Sequence, residues 1–169
     1  VAISKYLKHL QIKDKLINHC QSLKVKQGGL DWISNSVFNT CGTHNILKDE
    51  IFNELNDWIY SEVLKFGKMV GQTNKIVPSD AWFNIYSQND YQEYHNHNFN
   101  YISTIYYLKT ENNSAQTIFK SPLQESIFDS NFKNDNPYTW KNYKINPQEG
   151  NLIIFKSSLN HCVEPHKSS

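Results

Sequence analysis

"YQEYHNHNFNYISTIYYLKT", residues 91–110, lies in the part of the chain where the hydrophobic period changes. Upstream of about residue 80, apolar residues recur every three or four positions. In "YISTIYYLKT" β-branched and aromatic residues alternate instead, which is the pattern of a strand. Two histidines one residue apart, His95 and His97, stand at the mouth of this run. In an extended segment residues i and i+2 project from one face, so both imidazoles can aim at one point. Such a pair grips a metal, or it is polar decoration on a solvent-facing strand. Spacing alone leaves both readings open.

Working outward, "AWFNIYSQ" (81–88) predicts a strand and "NDYQ" (89–92) a turn. After residue 110, "ENNSAQ" (111–116) predicts a turn and "TIFKSP" (117–122) a strand. "YTWKNYKI" (138–145), "NPQEG" (146–150) and "NLIIFKS" (151–157) read as strand, turn, strand. The last is a continuous apolar run expected to be buried. "SPLQESIFDSNFKNDNP" (121–137) reads as an irregular crossing, either a lid over a pocket or a plain solvated loop.

Upstream, "ISKYLKHLQIKDKLINHCQSL" (3–23) predicts a helix through Ile3, Leu7, Leu10, Leu16, Ile17 and Leu23, stopped by "QGG". "LDWISNSVFNTCGTHN" (30–45) is polar and turn-rich, a loop with at most a short strand. "LKDEIFNELNDWIYSEVLKFGKMVG" (47–71) predicts an amphipathic helix on Ile51, Leu55, Trp58, Ile59, Val63 and Phe66, with Gly67 and Gly71 near its end. Helices followed by short antiparallel strands imply an α+β, mainly β fold: a β-sandwich or jelly roll with the N-terminal helices packed on one sheet. Residues 1–75 would be mostly helical support and 76–169 the β core of one domain spanning 1–169, since neither half is comfortable alone.

The formal net charge is +1 and every basic residue is lysine. Near-neutral charge without a basic block argues against a phosphate-driven nucleic-acid surface. Without arginine the usual bidentate clamp for carboxylates is missing. No apolar run approaches the roughly 20 residues of a membrane span, and no signal-peptide pattern opens the chain. Cys20, Cys41 and Cys162 are odd in number and lack CxxC spacing, so they read as free thiols of a reducing compartment, the cytoplasm. Val1 at the start and "HKSS" at the end suggest a piece trimmed from a longer chain, its C-terminal strand cut short.

A third histidine, His161, follows "NLIIFKSSLN". A close pair plus one remote donor is the sequence shape of an open three-ligand metal site. Polar surface histidines fit the spacing equally. The stretches "WFNIYSQNDYQEYHNHNFNYISTIYYLKT" and "PQEGNLIIFKSSLNHCVEP" decide more. Together, over roughly residues 80–165, they resemble the iron- and 2-oxoglutarate-dependent oxygenases of the prolyl-hydroxylase-like group, in its bacterial and phage branch. The resemblance rests on a tyrosine strand before the histidine pair, an "IYYL" strand about ten residues on, and a "P-x-x-G-x-L-I-I-F" strand leading to "H-x-V-x-P".

The resemblance implies a double-stranded β-helix (jelly roll) in which His95 and His161 bind Fe(II). His97 stands where the family usually has a carboxylate; it is read as the third ligand, the alternative being a residue behind the ligands. No catalytic residue beyond the metal ligands is implied. Tyr86 and Tyr107 match positions lining the 2-oxoglutarate pocket, and Asn84 shares the face of Tyr86; both tyrosines are also ordinary core residues with one wet end. The family's cation for the distal carboxylate would fall just past Ser169, which leaves Lys109, on the face of Tyr107, as the candidate; the plain alternative is a solvated strand-end lysine. Glu93 could share the ligand face, Trp82 reads as packing, and Cys162 points away from the site. His9, His19, His44 and His166 have no ligand-like company. The activity implied is O2- and 2-oxoglutarate-dependent hydroxylation of a peptidyl proline or a small metabolite. A three-histidine zinc hydrolase or hydratase and a non-catalytic cupin-like binding protein are the rival readings.

Overall fold

The computed structural model describes residues 1–27, 36–122 and 140–167, with residues 25–27 described by their backbone only. The chain order is β1 (Ala2–Lys5), α1 (His9–Gln27), β2 (Phe38–Asn39), two 3-10 turns (Ile46–Lys48 and Glu50–Phe52), α2 (Asn53–Met69), β3 (Asn84–Ile85) and β4 (Gln92–His95). Then follow β5 (Ile102–Tyr106), β6 (Thr117–Lys120), β7 (Asn142–Ile145), β8 (Asn151–Lys156) and β9 (His161–Val163). Most of the 121–137 crossing, the "GG" of the predicted helix stop together with all of "LDWISN" (28–35), and the first two residues of "YTWK" (138–139) lie outside the described residues.

Two antiparallel sheets carry the β half: three strands in the order β1-β8-β5 and four in the order β4-β9-β6-β7. From β4 to β9 the chain passes back and forth between them. β8 explains why they stack. Leu152, Ile153, Ile154 and Phe155 are all at most 1% exposed, because both faces of the strand are covered. Ile153 and Phe155 meet Phe119 of β6 and Ile145 of β7. Leu152 and Ile154 meet Phe66 of α2, backed by Trp58, Ile59 and Val63. A strand buried on one side alternates; one buried on both sides reads as an unbroken apolar run. Each such side chain contributes about 1.5–3 kcal/mol of transfer free energy. The layers are therefore helices, three-stranded sheet, four-stranded sheet. A further cluster of Ile12, Leu16 and Cys20 from α1 with Tyr6, Phe52 and Leu55 ties the helices together and reaches Phe83, Ile85 and Tyr106.

The first helix begins later than its periodicity predicts. Residues 2–5 form β1, antiparallel to β8 with Ala2 opposite Ile154. Leu7 is 92% exposed, and the buried face of α1 is Ile12, Leu16, Cys20 and Leu23. The cause is non-local: β5 occupies one edge of β8, and the other edge needs a strand to satisfy its backbone groups. The predicted strand "AWFNIYSQ" shrinks to two residues, because side and main chain of Thr40 take the N–H and carbonyl of Phe83. At the end of α2, Gly71 has φ +76° and the Gln72 N–H donates to the Gly67 carbonyl at 2.8 Å. That is a Schellman cap, and it leaves Gly67 inside the helix.

Candidate metal centre

His95 ends β4 and His161 opens β9, and the two residues are direct partners across that strand pair. His97 lies past the strand, in a turn. Its N–H donates to the Ser157 carbonyl at 2.9 Å, and its own carbonyl accepts from Asn100 at 2.9 Å. The same-face argument from strand alternation therefore does not place His97: its anchorage to the end of β8 does. Ser157 is itself fully buried, and its N–H is held by the Tyr101 carbonyl at 3.0 Å. A bulge between Gln92 and His95 re-aims the end of β4.

The result is convergence. One ring nitrogen from each of His95, His97 and His161 falls within 4.8 Å of the others. The ring centroids stand 5.1 Å (95–97), 4.2 Å (95–161) and 5.3 Å (97–161) apart. Donors sharing one ion at 2.0–2.2 Å stand about 3–3.5 Å apart, so a bound ion draws the rings inward by about an ångström.

Two of the rings have a fixed orientation. His95 Nδ1 lies 2.8 Å from the Glu93 carbonyl and His161 Nδ1 lies 3.0 Å from the Leu159 carbonyl. A carbonyl only accepts, so each Nδ1 donates to it and each ring is oriented as in metal-bound imidazoles, which bind through Nε2. His161 is 3% exposed, stacked on Phe119 and edge-on to Phe155. Burial pushes its pKa down to about 4; the Leu159 carbonyl opposes this, and His95 and His97 add to it. Burial, then the neighbouring His95, also lowers the pKa of His97, whose ring packs against Trp82 at 5.6 Å. The neutral imidazole is the form that binds a divalent cation.

The tyrosines form a polar wall. Asn84 donates to the Tyr86 hydroxyl at 3.2 Å, and Tyr86 donates to Gln92 Oε1 at 3.2 Å. The Tyr107 hydroxyl and Thr117 Oγ1 share a 2.7 Å hydrogen bond. Burial raises both phenols to about 12, so each keeps its proton; Tyr107 and Glu93 stand close enough to Tyr86 to add to its shift. Tyr86 also stacks on His166 at 5.0 Å. The Lys109 side chain is 54% exposed and its ammonium pairs with Glu111 at 3.2 Å. Sequence reasoning passed over Gln92, read as part of a turn, and Thr117, although its alternation with Phe119 marks the inner face. Glu93 Oε1 is buried with no hydrogen-bond partner among the described residues, a carboxylate oxygen on the strand that carries His95.

A family model described as "Putative 2OG-Fe(II) oxygenase" matches residues 80–169, more than half of the chain and the whole of the histidine cluster. No curated protein matches. By its sequence from Asp80 onward the chain belongs to the putative 2OG-Fe(II) oxygenase family.

Proposed function

We propose that this protein is a non-haem Fe(II)- and 2-oxoglutarate-dependent dioxygenase that hydroxylates a peptidyl proline or a small metabolite, with His95, His97 and His161 holding the iron. The observation that carries the proposal is the convergence of three imidazoles, two of them oriented by backbone carbonyls at Nδ1. When bound, the iron and 2-oxoglutarate supply oxidative decarboxylation by O2 to succinate and CO2, coupled to insertion of one oxygen atom into a substrate C–H bond. The residues fit that group. Imidazoles suit ferrous iron, and three donors leave other coordination positions open.

The chain's own side chains orient and shield. Phe119 and Phe155 wall His161 and keep bulk water from it. Tyr86, Tyr107 and Asn84 supply protonated hydroxyls and an amide for a carboxylate co-substrate. An all-histidine set lacks the charge that a ligand carboxylate would bring; the carboxyl group nearest in sequence is Glu93, with a buried oxygen on the strand that carries His95. The passage of β4 to β9 between two antiparallel sheets supports a double-stranded β-helix, formed within one domain over 1–169. Free thiols at Cys20, Cys41 and Cys162 favour the cytoplasm, and no helix among the described residues is long and apolar enough to cross a membrane.

Aerobic consumption of 2-oxoglutarate with added Fe(II), read as succinate, tests the proposal. Wild type turns over and His161→Ala does not. Equal turnover in the two proteins removes the iron role. Tight zinc binding with no succinate formed in the presence of candidate substrates points to the hydrolase reading instead.

A further inference from the structure

A second set of donors lies away from the tri-histidine cluster, at residues whose sequence context gave no sign of it. His19 comes from α1, His44 from the loop after β2, and Asp49 from the junction of the two 3-10 turns. His19 Nε2 stands 2.6 Å, and His44 Nε2 3.2 Å, from the same carboxylate oxygen, Asp49 Oδ2. All three line an open cleft of about 840 Å³. We propose that His19, His44 and Asp49 form a second site, for a divalent transition-metal ion of the zinc class.

The first support is donor chemistry. Two imidazoles and a carboxylate are a donor set such ions favour, and three protein donors leave room for water or a ligand on the cleft side. The second is proximity: both imidazoles already reach one carboxylate oxygen, as hydrogen-bond partners at 2.6 and 3.2 Å. Seating the ion requires each imidazole to exchange its hydrogen bond to Asp49 for the ion; both side chains are partly exposed.

Preorganisation is the third support. The His44 N–H donates to the Thr40 carbonyl at 2.9 Å, and the Asp49 N–H to the Ile46 carbonyl at 3.3 Å. Asn45 caps the turn between them through Leu47 N–H, so the loop holds its shape without an ion. The His19 ring is steadied edge-on by the buried Phe52 at 5.8 Å. The charge balance also favours a cation: Asp49, Glu50 and Asp80 line the cleft against one lysine, Lys48.

The test is a stoichiometric titration of the full chain, stripped by chelator, with Zn2+ against a chromophoric competitor at neutral pH. Wild type is compared with His19→Gln, His44→Gln and His161→Ala. The expected result is one equivalent fewer in each of the first two variants than in wild type, with the equivalent lost in His161→Ala being a separate one. Unchanged stoichiometry in both His19→Gln and His44→Gln overturns the proposal, whatever His161→Ala does. Should those variants fail to fold by circular dichroism, Mn2+ is added to wild type and the histidine ring resonances are followed by NMR. Broadening of the His19 and His44 signals sustains the site, and sharp signals there overturn it.

Discussion

Acidification of the metal-free protein tests the electrostatics of the candidate centre through His161. Its folded-state pKa is about 4, against an ordinary value of 6.5. Between these values the unfolded chain binds a proton that the folded chain refuses, so stability rises with pH across the window and falls as pH drops through it. The interval of about 2.5 units, at 1.36 kcal/mol per unit, gives a loss of about 3 kcal/mol between pH 7 and pH 4. That is a large share of the 5–15 kcal/mol typical of a domain. His97, with its pKa also lowered by burial, adds in the same direction. Depressed carboxylates such as Asp49 and Glu149 add their losses lower, as pH falls below the ordinary carboxylate range. The assay is urea unfolding in chelator at pH 7 and pH 4, on wild type and His161→Gln. The variant is less stable at pH 7 but loses about 3 kcal/mol less on acidification. An identical loss in both proteins refutes the assignment of a buried neutral imidazole at this position.

Other substitutions read other parts of the structure. Gly150→Ala and Gly71→Ala both place a side chain at positive φ, +77° and +76°, at about 1–2 kcal/mol each. At Gly150 the new Cβ also meets His9 at 3.0 Å, whereas at Gly71 it meets nothing; Gly150→Ala therefore loses about 1–3 kcal/mol more in urea unfolding, and equal losses would contradict the His9 contact. Phe155→Ala removes a fully buried ring from between the sheets, lowers stability by about 3–5 kcal/mol, and weakens Zn2+ affinity in competition titrations because His161 loses a wall. Tyr107→Phe leaves buried Thr117 without its partner, lowers stability by about 1–3 kcal/mol, and raises the KM for 2-oxoglutarate while kcat holds; unchanged KM would remove Tyr107 from the co-substrate pocket.

Local patterns in the chain report burial along one dimension, and where burial is local they hold. Five of the six apolar residues predicted for the second helix and its glycine cap, the turns at 111–116 and 146–150, and the burial of residues 152–155 are all legible in this way. So was the family, since motifs in order along the chain need no coordinates. The start of α1 was not legible, because residues 2–5 answer to an open edge of β8 about 150 positions away. Nor were the lengths of β3 and β4, where Thr40 and a bulge intervene from outside the local pattern.

The same division runs through the sites. Residue types and order marked His95, His97 and His161 as candidates, but whether they met was open until β4 paired with β9 and the His97 main chain bonded to Ser157. Strand alternation pointed at His97 for a reason that does not apply to a residue in a turn. Lys109 shared the parity of Tyr107 on paper and yet pairs with Glu111 at the surface, since a strand-end lysine gains more from water than from a desolvated pocket. His19, His44 and Asp49 carried no motif at all. The sequence by itself determined the periodicities, the composition and the identity of the donors, because these are properties of neighbouring residues. Only the tertiary structure decided which donors share a point in space, because that depends on backbone hydrogen bonds and packing between segments far apart in the chain.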